Sequence, residues 1–291
     1  MARSELARRT LFAVVAIPIV LGAVYVGDAA LAALLAIAAA LGAWEFFRMA
    51  ERGEYAPLGA VGIVLAALLP LLAHATRLGA AAPSITWAIL AVLALFAVAL
   101  FVRGPANRPI GAVAVTLLGV VYTGGLLTYA YALRYHRFTN YALGAEAGAA
   151  LLFFPLILTW TSDTGGYFVG RSVGRNKLIP SVSPGKTIEG AIGALVLCAV
   201  IGWVYVRWVL TPYANLTLTP LAAAMFGAIV SIAVQVGDLV ESLMKREVAV
   251  KDSSRLLPGH GGVLDRLDGM LFALPVAYWL LDVMRVFPVP Q

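Results

Sequence analysis

Residues 242–268 read SLMKREVAVKDSSRLLPGHGGVLDRLD, and this polar segment lies between two charge-free apolar runs, 220–237 and 269–281. It includes the run Gly259-His260-Gly261-Gly262, where glycine lets the backbone turn sharply and approach a ligand closely. The apolar flanks indicate helices in a membrane, because a bilayer crossing needs about 20 mostly apolar residues. This contrast predicts a polar site carried on a membrane scaffold.

The composition indicates an integral membrane protein. The chain has 291 residues, of which 62% are hydrophobic and only 12% are charged. Soluble domains carry about 25% charged residues, so this supply of charge does not cover a water-exposed surface. The formal charge of +6 does not indicate nucleic-acid binding, since the basic residues stand in short loops between apolar runs. The single cysteine, Cys198, excludes an intrachain disulfide.

Charge-free runs predict an all-α, polytopic membrane protein with nine transmembrane helices. The first seven runs are Thr10–Gly27, Ala29–Trp44, Tyr55–Ala73, Leu78–Val102, Pro109–Leu133, Ala147–Ser162 and Gly190–Val206. TPYANLTLTP (211–220) is interpreted as a loop, so the eighth helix begins at about Pro220 and the ninth near Gly269. We expect residues 1–150 to form a scaffold of about five helices that could admit lipid. Residues 151–291 are then the catalytic region, with two polar segments, 171–189 and 242–268.

The distribution of basic residues predicts the orientation. With the N-terminus inside, only five of the 21 Lys and Arg residues face outward, namely Arg77, Arg134, Arg137, Arg207 and Arg285. The positive-inside rule then places the N-terminus in the cytoplasm and the C-terminus outside. Both polar segments would face the cytoplasm, where nucleotides and Mg²⁺ are available.

Asp163 stands at the end of an apolar run. A carboxylate at membrane depth costs about 2.5–3.5 kcal/mol even on the insertion scale, so such residues commonly mark sites or pathways. The alternative is an interfacial carboxylate that caps the next segment. We predict a role for Asp163 in the site, and helix packing for the small-residue pattern Gly166–Gly170.

The 171–189 segment carries the run Ser183-Pro-Gly-Lys186-Thr187-Ile-Glu189. It is not a P-loop, because Pro180 stands where that pattern needs glycine and no strand is expected before it. We expect a cationic loop with hydroxyl groups that opens a helix at about Thr187, whose N-terminus suits an anion. Positive charge that orients the chain in the membrane is enough to explain Arg171, but it explains the Ser-Pro-Gly-Lys-Thr run less well.

Three carboxylates lie near predicted helix ends. On a helix, Asp238 shares one face with an acid, a hydroxyl and a base, namely Glu241, Ser242 and Lys245. Asp265 and Asp268 are three residues apart and share one face of the turn into the ninth helix. These acids could hold one or two Mg²⁺ ions, which favour carboxylate oxygens and keep waters or substrate phosphates as other ligands. An ion pair with Arg246 or Arg266 is the alternative for any one of them.

Acids for a metal beside fixed cations suit phosphoryl or nucleotidyl transfer, because a metal bridges phosphate oxygens while Lys and Arg neutralise developing charge. The chain has three histidines, His74, His136 and His260, and offers no candidate Ser/His/Asp triad or zinc set.

The 242–268 segment resembles the signature of the phosphatidate cytidylyltransferase family, the CDP-diacylglycerol synthases. That pattern has the form S-x-x-K-R-x4-K-D-x-[small]-x2-[apolar]-P-x-H-G-G-x-x-D-R-x-D. It is filled without a gap by Ser242, Lys245, Arg246, Lys251, Asp252, Ser254, Leu257, Pro258, His260, Gly261, Gly262, Asp265, Arg266 and Asp268. Residues 162–171 and 183–190 are also similar to the family, apart from Gly165-Gly166, where a larger small residue is expected. The first 150 residues resemble it only in hydropathy.

The resemblance implies that CTP and phosphatidic acid give CDP-diacylglycerol and pyrophosphate. Asp238, Asp265 and Asp268 would bind metal and act in catalysis with Lys186 and Lys245. The triphosphate or lipid phosphate would be held by Lys186, Lys245, Arg246 and Lys251, and the His260 loop with Gly261 and Gly262 would close on the nucleotide. Further substrate contacts are expected from Asp163, Arg171, Ser183, Thr187, Glu189, Ser242 and Arg266.

The implied cofactor is Mg²⁺, as one or two divalent ions, with a monovalent ion as an additional option. The expected partners are CTP, phosphatidic acid and the lipid bilayer, with no nucleic acid, and the sequence leaves a homodimer open. The expected location is the bacterial cytoplasmic (inner) membrane, with the active site facing the cytoplasm.

Two other functions stay open on the sequence. A CDP-alcohol phosphotransferase is suggested by Asp265-x-x-Asp268-Gly269, although Phe272 and Ala273 stand where that pattern has Ala and Arg. A cation-coupled transporter could use acids within its spans such as Asp163 and Asp238, but would not need the Lys/Arg/His loop.

Replacing Asp265 with Asn is expected to abolish turnover while expression and membrane insertion stay intact, because the amide cannot supply the charge that a metal requires. Turnover of labelled CTP in membranes, with immunoblotting of the inserted protein, checks this. Substantial residual activity would contradict the assignment.

Overall fold

The computed structural model describes residues 2–82, 84–104, 107–141, 145–257, 259, 261–284 and 286–288. Its helices are α1 (Ala2–Val26), α2 (Asp28–Arg52), α3 (Gly59–Arg77), α4 (Ile85–Val102), α5 (Pro109–Val120), α6 (Leu126–Arg134), α7 (Ala145–Val173), α8 (Ile188–Tyr205), α9 (Thr211–Ala214), α10 (Pro220–Glu247) and α11 (Leu264–Val283). Short π-helical turns, Val121–Gly125 and Val206–Leu210, join α5 to α6 and α8 to α9. The predicted all-α class is confirmed.

A 3₁₀ helix, Arg137–Tyr141, and two short antiparallel strand pairs complete the described secondary structure. Strand β1 (Lys177–Ile179) pairs with β2 (Ser183–Thr187), and β3 (Leu216–Thr217) pairs with β4 (Phe287–Pro288). The first hairpin lies inside the 171–189 segment, directly before α8.

Seven of the described helical stretches are long and apolar enough to cross a membrane. They are Asp28–Arg52, Gly59–Arg77, Ile85–Val102, Pro109–Thr139, Ala145–Val173, Ile188–Ala214 and Pro220–Glu247. The chain is therefore a polytopic integral membrane protein. Helices α1 and α11 correspond to the first and last predicted spans, but neither is among these seven apolar stretches. The count of nine and the cytoplasmic N-terminus stay predictions.

Packing divides the chain into two compact units. Unit 1 comprises Met1–Tyr131 and Glu247–Arg266, and unit 2 comprises Ala132–Arg246 and Leu267–Gln291. The functional division at residue 150 stays a prediction.

Unit 1 is organised around aromatic side chains of α2 that pack against glycines. A methyl group at Gly62 on α3 would lie 2.4 Å from Phe47 Cζ, and one at Gly119 on α5 would lie 2.4 Å from Phe47 Cε1. The two glycines leave the room that the Phe47 ring fills. A hydrogen bond also joins the start of α3 to α5, since the backbone N–H of Leu58 donates to Thr116 Oγ1 at 2.8 Å.

Unit 2 holds α7, α8 and α10 together through stacked rings. Phe154 on α7 stacks on Tyr205 of α8 at 4.7 Å between centroids and on Phe226 of α10 at 4.4 Å. The buried Tyr205 hydroxyl donates to the Ala150 carbonyl at 2.8 Å, which satisfies the polar end of the ring. Close backbone approach adds to this packing, because a Cβ at Gly227 on α10 would lie 2.0 Å from the Cys198 carbonyl oxygen of α8.

Three predicted boundaries are wrong. The sixth span was expected to end at Ser162, yet α7 continues to Val173 through several glycines. Packing of Gly170 against Gly190 on α8 offsets the low helix propensity of glycine. The loop expected at 211–220 begins four residues late, since Thr211–Ala214 is helical. The ninth helix was expected to begin near Gly269, yet α11 starts at Leu264.

Replacing Gly227 with Ala is expected to lower the free energy of unfolding by about 1–3 kcal/mol, because the added methyl group overlaps the α8 backbone. Thermal unfolding of the purified protein in detergent measures the effect. The matched control is Gly22→Ala on α1, where a Cβ meets nothing within 4 Å. Equal unfolding temperatures for the two variants would contradict the packing argument.

Candidate functional site

A cavity with charged side chains on its wall lies within unit 2, between α7, α8, α10 and the β1–β2 hairpin. Its volume is about 590 Å³. Six of the residues that the sequence singled out line it, namely Asp163, Arg171, Ser183, Lys186, Thr187 and Asp238. The structure thus gathers residues from 163 to 238 of the chain around one space.

Lys186 and Asp238 form the ion pair of this cavity. Lys186 Nζ on β2 lies 2.5 Å from Asp238 Oδ2 on α10, and each side chain is nearly three-quarters buried. The β2 strand ends where α8 begins, because the Thr187 hydroxyl caps the helix and accepts the Gly190 N–H at 3.1 Å. The predicted helix start at about Thr187 is confirmed.

The strand around Lys186 corrects one expectation, since no strand was predicted before the Gly-Lys-Thr run. Residues Ser183–Thr187 form β2. Pro180 in the turn still rules out the P-loop pattern. Proline and glycine concealed the strand, because both residues are depleted in strands.

Glu189 and Arg246 hold the hairpin in place. The Glu189 carboxylate accepts the backbone N–H groups of Arg175 and Asn176 and the Asn176 side-chain amide at 2.7–3.2 Å. Arg246 Nε donates to the Val182 carbonyl in the hairpin turn at 3.3 Å. Both residues therefore stabilise the hairpin, and their contact with substrate stays a prediction.

The predicted polar face of α10 is confirmed. The Ser242 hydroxyl donates to Asp238 Oδ1 at 3.3 Å, and the buried Lys245 Nζ lies 3.0 Å from Glu241 Oε1. Glu241 is 0% exposed, and a buried carboxylate of this kind is tolerated because a cation pairs with it. The catalytic role of Lys245 stays a prediction.

Asp268, in the first turns of α11, lies outside the cavity lining but within range of its charges. Burial and then the negative charge of Asp238 raise the pKa of Asp268 to about 7, and Asp163 acts in the same direction. The Gly269 N–H and the Lys245 ammonium oppose this shift. Asp268 is therefore close enough to Asp238 and Asp163 for their negative charges to disfavour its ionised form, and a divalent cation would relieve this repulsion.

The donor chemistry fits Mg²⁺, which commonly uses one or two carboxylates and completes its shell with waters and substrate phosphates. Asp238 and Asp268 supply such oxygens. Within the described ranges, no group of three or more His, Cys, Asp or Glu side chains is arranged to hold a metal ion. The third predicted ligand, Asp265, belongs to unit 1, and its part in metal binding stays a prediction.

In unit 1, Asp265 organises the glycine turn. Its Oδ2 accepts the N–H groups of Ser253 and Gly262 and the Ser253 hydroxyl at 2.8–2.9 Å. Gly261 has φ of +83°, and a Cβ there would lie 2.9 Å from the same oxygen. Gly259 and Gly261 both have positive φ, as a sharp turn at these glycines requires, and the close approach of this backbone to a ligand stays a prediction.

Glu45 is a residue that the sequence analysis missed. It lies on α2, is 0% exposed, and accepts hydrogen bonds from residues 253, 254, 263 and 264. The available signal was an acid directly after the apolar run 29–44, the same signal that identified Asp163.

The remaining predicted residues differ in their surroundings. Arg171 donates to the Tyr167 hydroxyl at 2.7 Å. Lys251 is exposed and lines a second cavity, of about 540 Å³, together with Arg48, Arg52 and Arg255. Arg266 is exposed, and His260 lies outside the described residues.

Comparison with known proteins shows similarity along almost the whole chain. Residues 7–284 match the model of the Cytidylyltransferase family. A phosphatidate cytidylyltransferase of Pseudomonas aeruginosa is 35% identical over 284 residues, which is 95% of this chain and 97% of that protein. One of Synechocystis sp. is 32% identical over 299 aligned positions, with 95% and 97% covered. One of Bacillus subtilis is 42% identical over 149 residues, which span 50% of this chain and 53% of that relative.

Replacing Glu189 with Ala is expected to loosen the hairpin, because the N–H groups of residues 175 and 176 lose their acceptor. Trypsin should then cleave the folded protein after Arg175 and Lys177 several times faster. The control is Glu146→Ala, an exposed acid in the first turn of α7, which should leave the cleavage rate unchanged. Equal rates in both variants would refute the anchoring role of Glu189.

Proposed function

This chain belongs to the cytidylyltransferase family, and we propose that it is a phosphatidate cytidylyltransferase. It would transfer CMP from CTP to phosphatidic acid and release pyrophosphate, forming CDP-diacylglycerol. The apolar helices suit this substrate, since phosphatidic acid resides in the bilayer.

The observation that supports the proposal is the unit 2 cavity, where Lys186 Nζ lies 2.5 Å from Asp238 Oδ2. The negative charges of Asp238 and Asp163 also raise the pKa of the nearby Asp268. Fixed cations and clustered carboxylates on the wall of one cavity match the needs of a reaction between polyphosphates. A cavity of about 590 Å³ is of the size that holds a small molecule.

In the reaction, an oxygen of the phosphatidate phosphate bonds to the α-phosphorus of CTP. The bond from that phosphorus to the oxygen bridging the β-phosphate breaks, and the electron pair leaves with pyrophosphate. The nucleophile is already anionic, so positioning and charge neutralisation matter more than a strong base. Lys186 and Lys245 would neutralise phosphate oxygens, and the N-terminus of α8 at Thr187 would favour the negative charge.

Mg²⁺ is part of the proposal, with Asp238 and Asp268 of unit 2 as its protein ligands. When bound, the ion would neutralise negative charge on the phosphates and offset the repulsion that the neighbouring carboxylates exert on Asp268. Lys186 would also position Asp238, since its ammonium group lies 2.5 Å from Asp238 Oδ2.

The proposed location is the bacterial cytoplasmic membrane, with the polar segments facing the cytoplasm. The basic residues of the 171–189 and 242–268 segments support this orientation. CTP is made and used on that side of the membrane, so the site would meet its soluble substrate there.

The proposed activity is tested by incubating the purified protein with labelled CTP, phosphatidic acid and Mg²⁺. CDP-diacylglycerol and pyrophosphate should appear in equal amounts, and chelation of Mg²⁺ by EDTA should stop the reaction. Formation of neither product, with intact folded protein, would contradict the proposal. A CDP-alcohol phosphotransferase would instead consume CDP-lipid, and a transporter would make no CDP-lipid.

Replacing Lys186 with Met should lower kcat/KM by about 100-fold, since one preorganised electrostatic contact to the reacting groups is worth this much. The matched control is Lys177→Met, an exposed lysine on β1 of the same hairpin, which should keep at least half of the wild-type rate. Equal losses in the two variants would exclude a specific role of Lys186.

A further inference from the structure

Glu45 is a fully buried carboxylate that joins α2 to a segment more than 200 residues away. Its Oε1 accepts the Ser254 hydroxyl at 2.6 Å and the Val263 N–H at 2.9 Å. Its Oε2 accepts the Leu264 N–H at 2.7 Å and the Ser253 hydroxyl at 3.0 Å. Each oxygen therefore lies within hydrogen-bond distance of one backbone amide and one serine hydroxyl.

Four donors make this buried charge tolerable. An ionised carboxylate offers about four acceptor sites, and a buried charge is costly unless it is paired and hydrogen-bonded. No Lys or Arg among the described residues forms an ion pair with Glu45, so its stabilisation comes from these donors. Two of them, the N–H groups of Val263 and Leu264, open α11, where the helix dipole favours a negative charge.

The same contacts reach Asp265. The Ser253 hydroxyl lies 3.0 Å from Glu45 Oε2 and 2.9 Å from Asp265 Oδ2. A hydroxyl has one proton, so it donates to one of the two carboxylates at a time. Gly262 packs between them, since a Cβ there would lie 2.0 Å from Ser253 Oγ and 2.6 Å from Glu45 Oε2. The orientation of Asp265 is thereby coupled to Glu45.

Glu45 also fixes the wall of the second cavity. Lys251 and Arg255 stand just before and after the two serines that Glu45 binds, and they line that cavity with Arg48 and Arg52 from the next turns of α2. Holding Ser253 and Ser254 on α2 thus keeps these four cations around one space. Apart from these contacts, the described residues of 250–262 form few backbone–backbone hydrogen bonds, one of them from Leu257 N to Gly261 O.

We propose that Glu45 is a positioning residue of the transferase: its carboxylate holds residues 253–254 and 263–264 on α2 and so sets the orientation of Asp265 and Lys251. The effect of Glu45 on turnover rests on the proposed function, whereas its effect on the order of the backbone does not. Glu45 acts through these residues and contacts no reacting atom.

The first experiment measures the order of the segment in the folded, detergent-purified protein. In Glu45→Gln, the side-chain nitrogen cannot accept a backbone N–H, so one amide of the α11 start loses its acceptor. Trypsin should cleave after Lys251 and Arg255 about tenfold faster, while cleavage after Arg175 and Lys177 in unit 2 keeps its rate. The control is Glu51→Gln, an exposed acid on the same helix, which should behave as wild type.

The second experiment measures kcat and the KM for CTP in the same preparations. Outer-shell partners of this kind typically change activity by about 10–100-fold, so kcat of Glu45→Gln should fall by that factor per folded protein. Glu45→Asp keeps both acceptor oxygens and should recover part of the loss. Ser254→Ala removes one donor and keeps the charge, so it should shift both readouts in the same direction by a smaller factor, and it replaces Glu45→Gln if that variant does not fold.

Unchanged cleavage after Lys251 and Arg255 would overturn the proposal, and so would equal acceleration at Arg175 and Lys177, which indicates global unfolding. Wild-type kcat and KM in a variant whose segment is loosened would overturn the link to turnover. If the wild-type protein makes no CDP-lipid, the proposed function fails, while the proteolysis result still decides the role of Glu45 in the backbone.

Discussion

Carboxylates that accept backbone N–H groups hold both polar segments of this protein. Glu189 takes the amides of residues 175 and 176 in unit 2, and Glu45 and Asp265 take those of residues 253 and 262–264 in unit 1. These segments have little regular secondary structure, so their backbone donors need other partners. With only 12% charged residues, the chain places acids where they satisfy several donors at once.

Glycine is the second constraint, because it lets backbones and polar side chains approach within the distances that these bonds require. Gly190 lies against Gly166 and Gly170 where α8 meets α7, so that a Cβ would lie 2.7 Å from the Gly166 carbonyl oxygen. This close helix pair carries Asp163 and Thr187 on the wall of the same cavity. At Gly262 the same property brings a backbone amide next to two carboxylates. The small residues thus set the size of the spaces in which charged groups meet.

Individual residues show which features could be predicted from the sequence and which could not. The apolar runs predicted the helices because burial in lipid leaves few alternatives to a helix. The face of Asp238, Ser242 and Lys245 followed from helical spacing alone. The β1–β2 hairpin was missed since Ser-Pro-Gly-Lys-Thr has low strand propensity, and its stability comes from Glu189 and Arg246, contacts that no local pattern contains. Glu45 was missed because its partners lie more than 200 residues away.

The sequence by itself determined the membrane class, the helical architecture and the chemical types gathered in the two polar segments, because hydropathy and residue spacing are local properties. It also determined that acids and cations suited to phosphate chemistry are present. Only the tertiary structure decided which of them meet: Lys186 with Asp238 across a cavity, and Glu45 with the backbone that leads to Asp265. Those pairings depend on how distant helices pack, and packing is set by the combined shape of many side chains rather than by any one stretch of the chain.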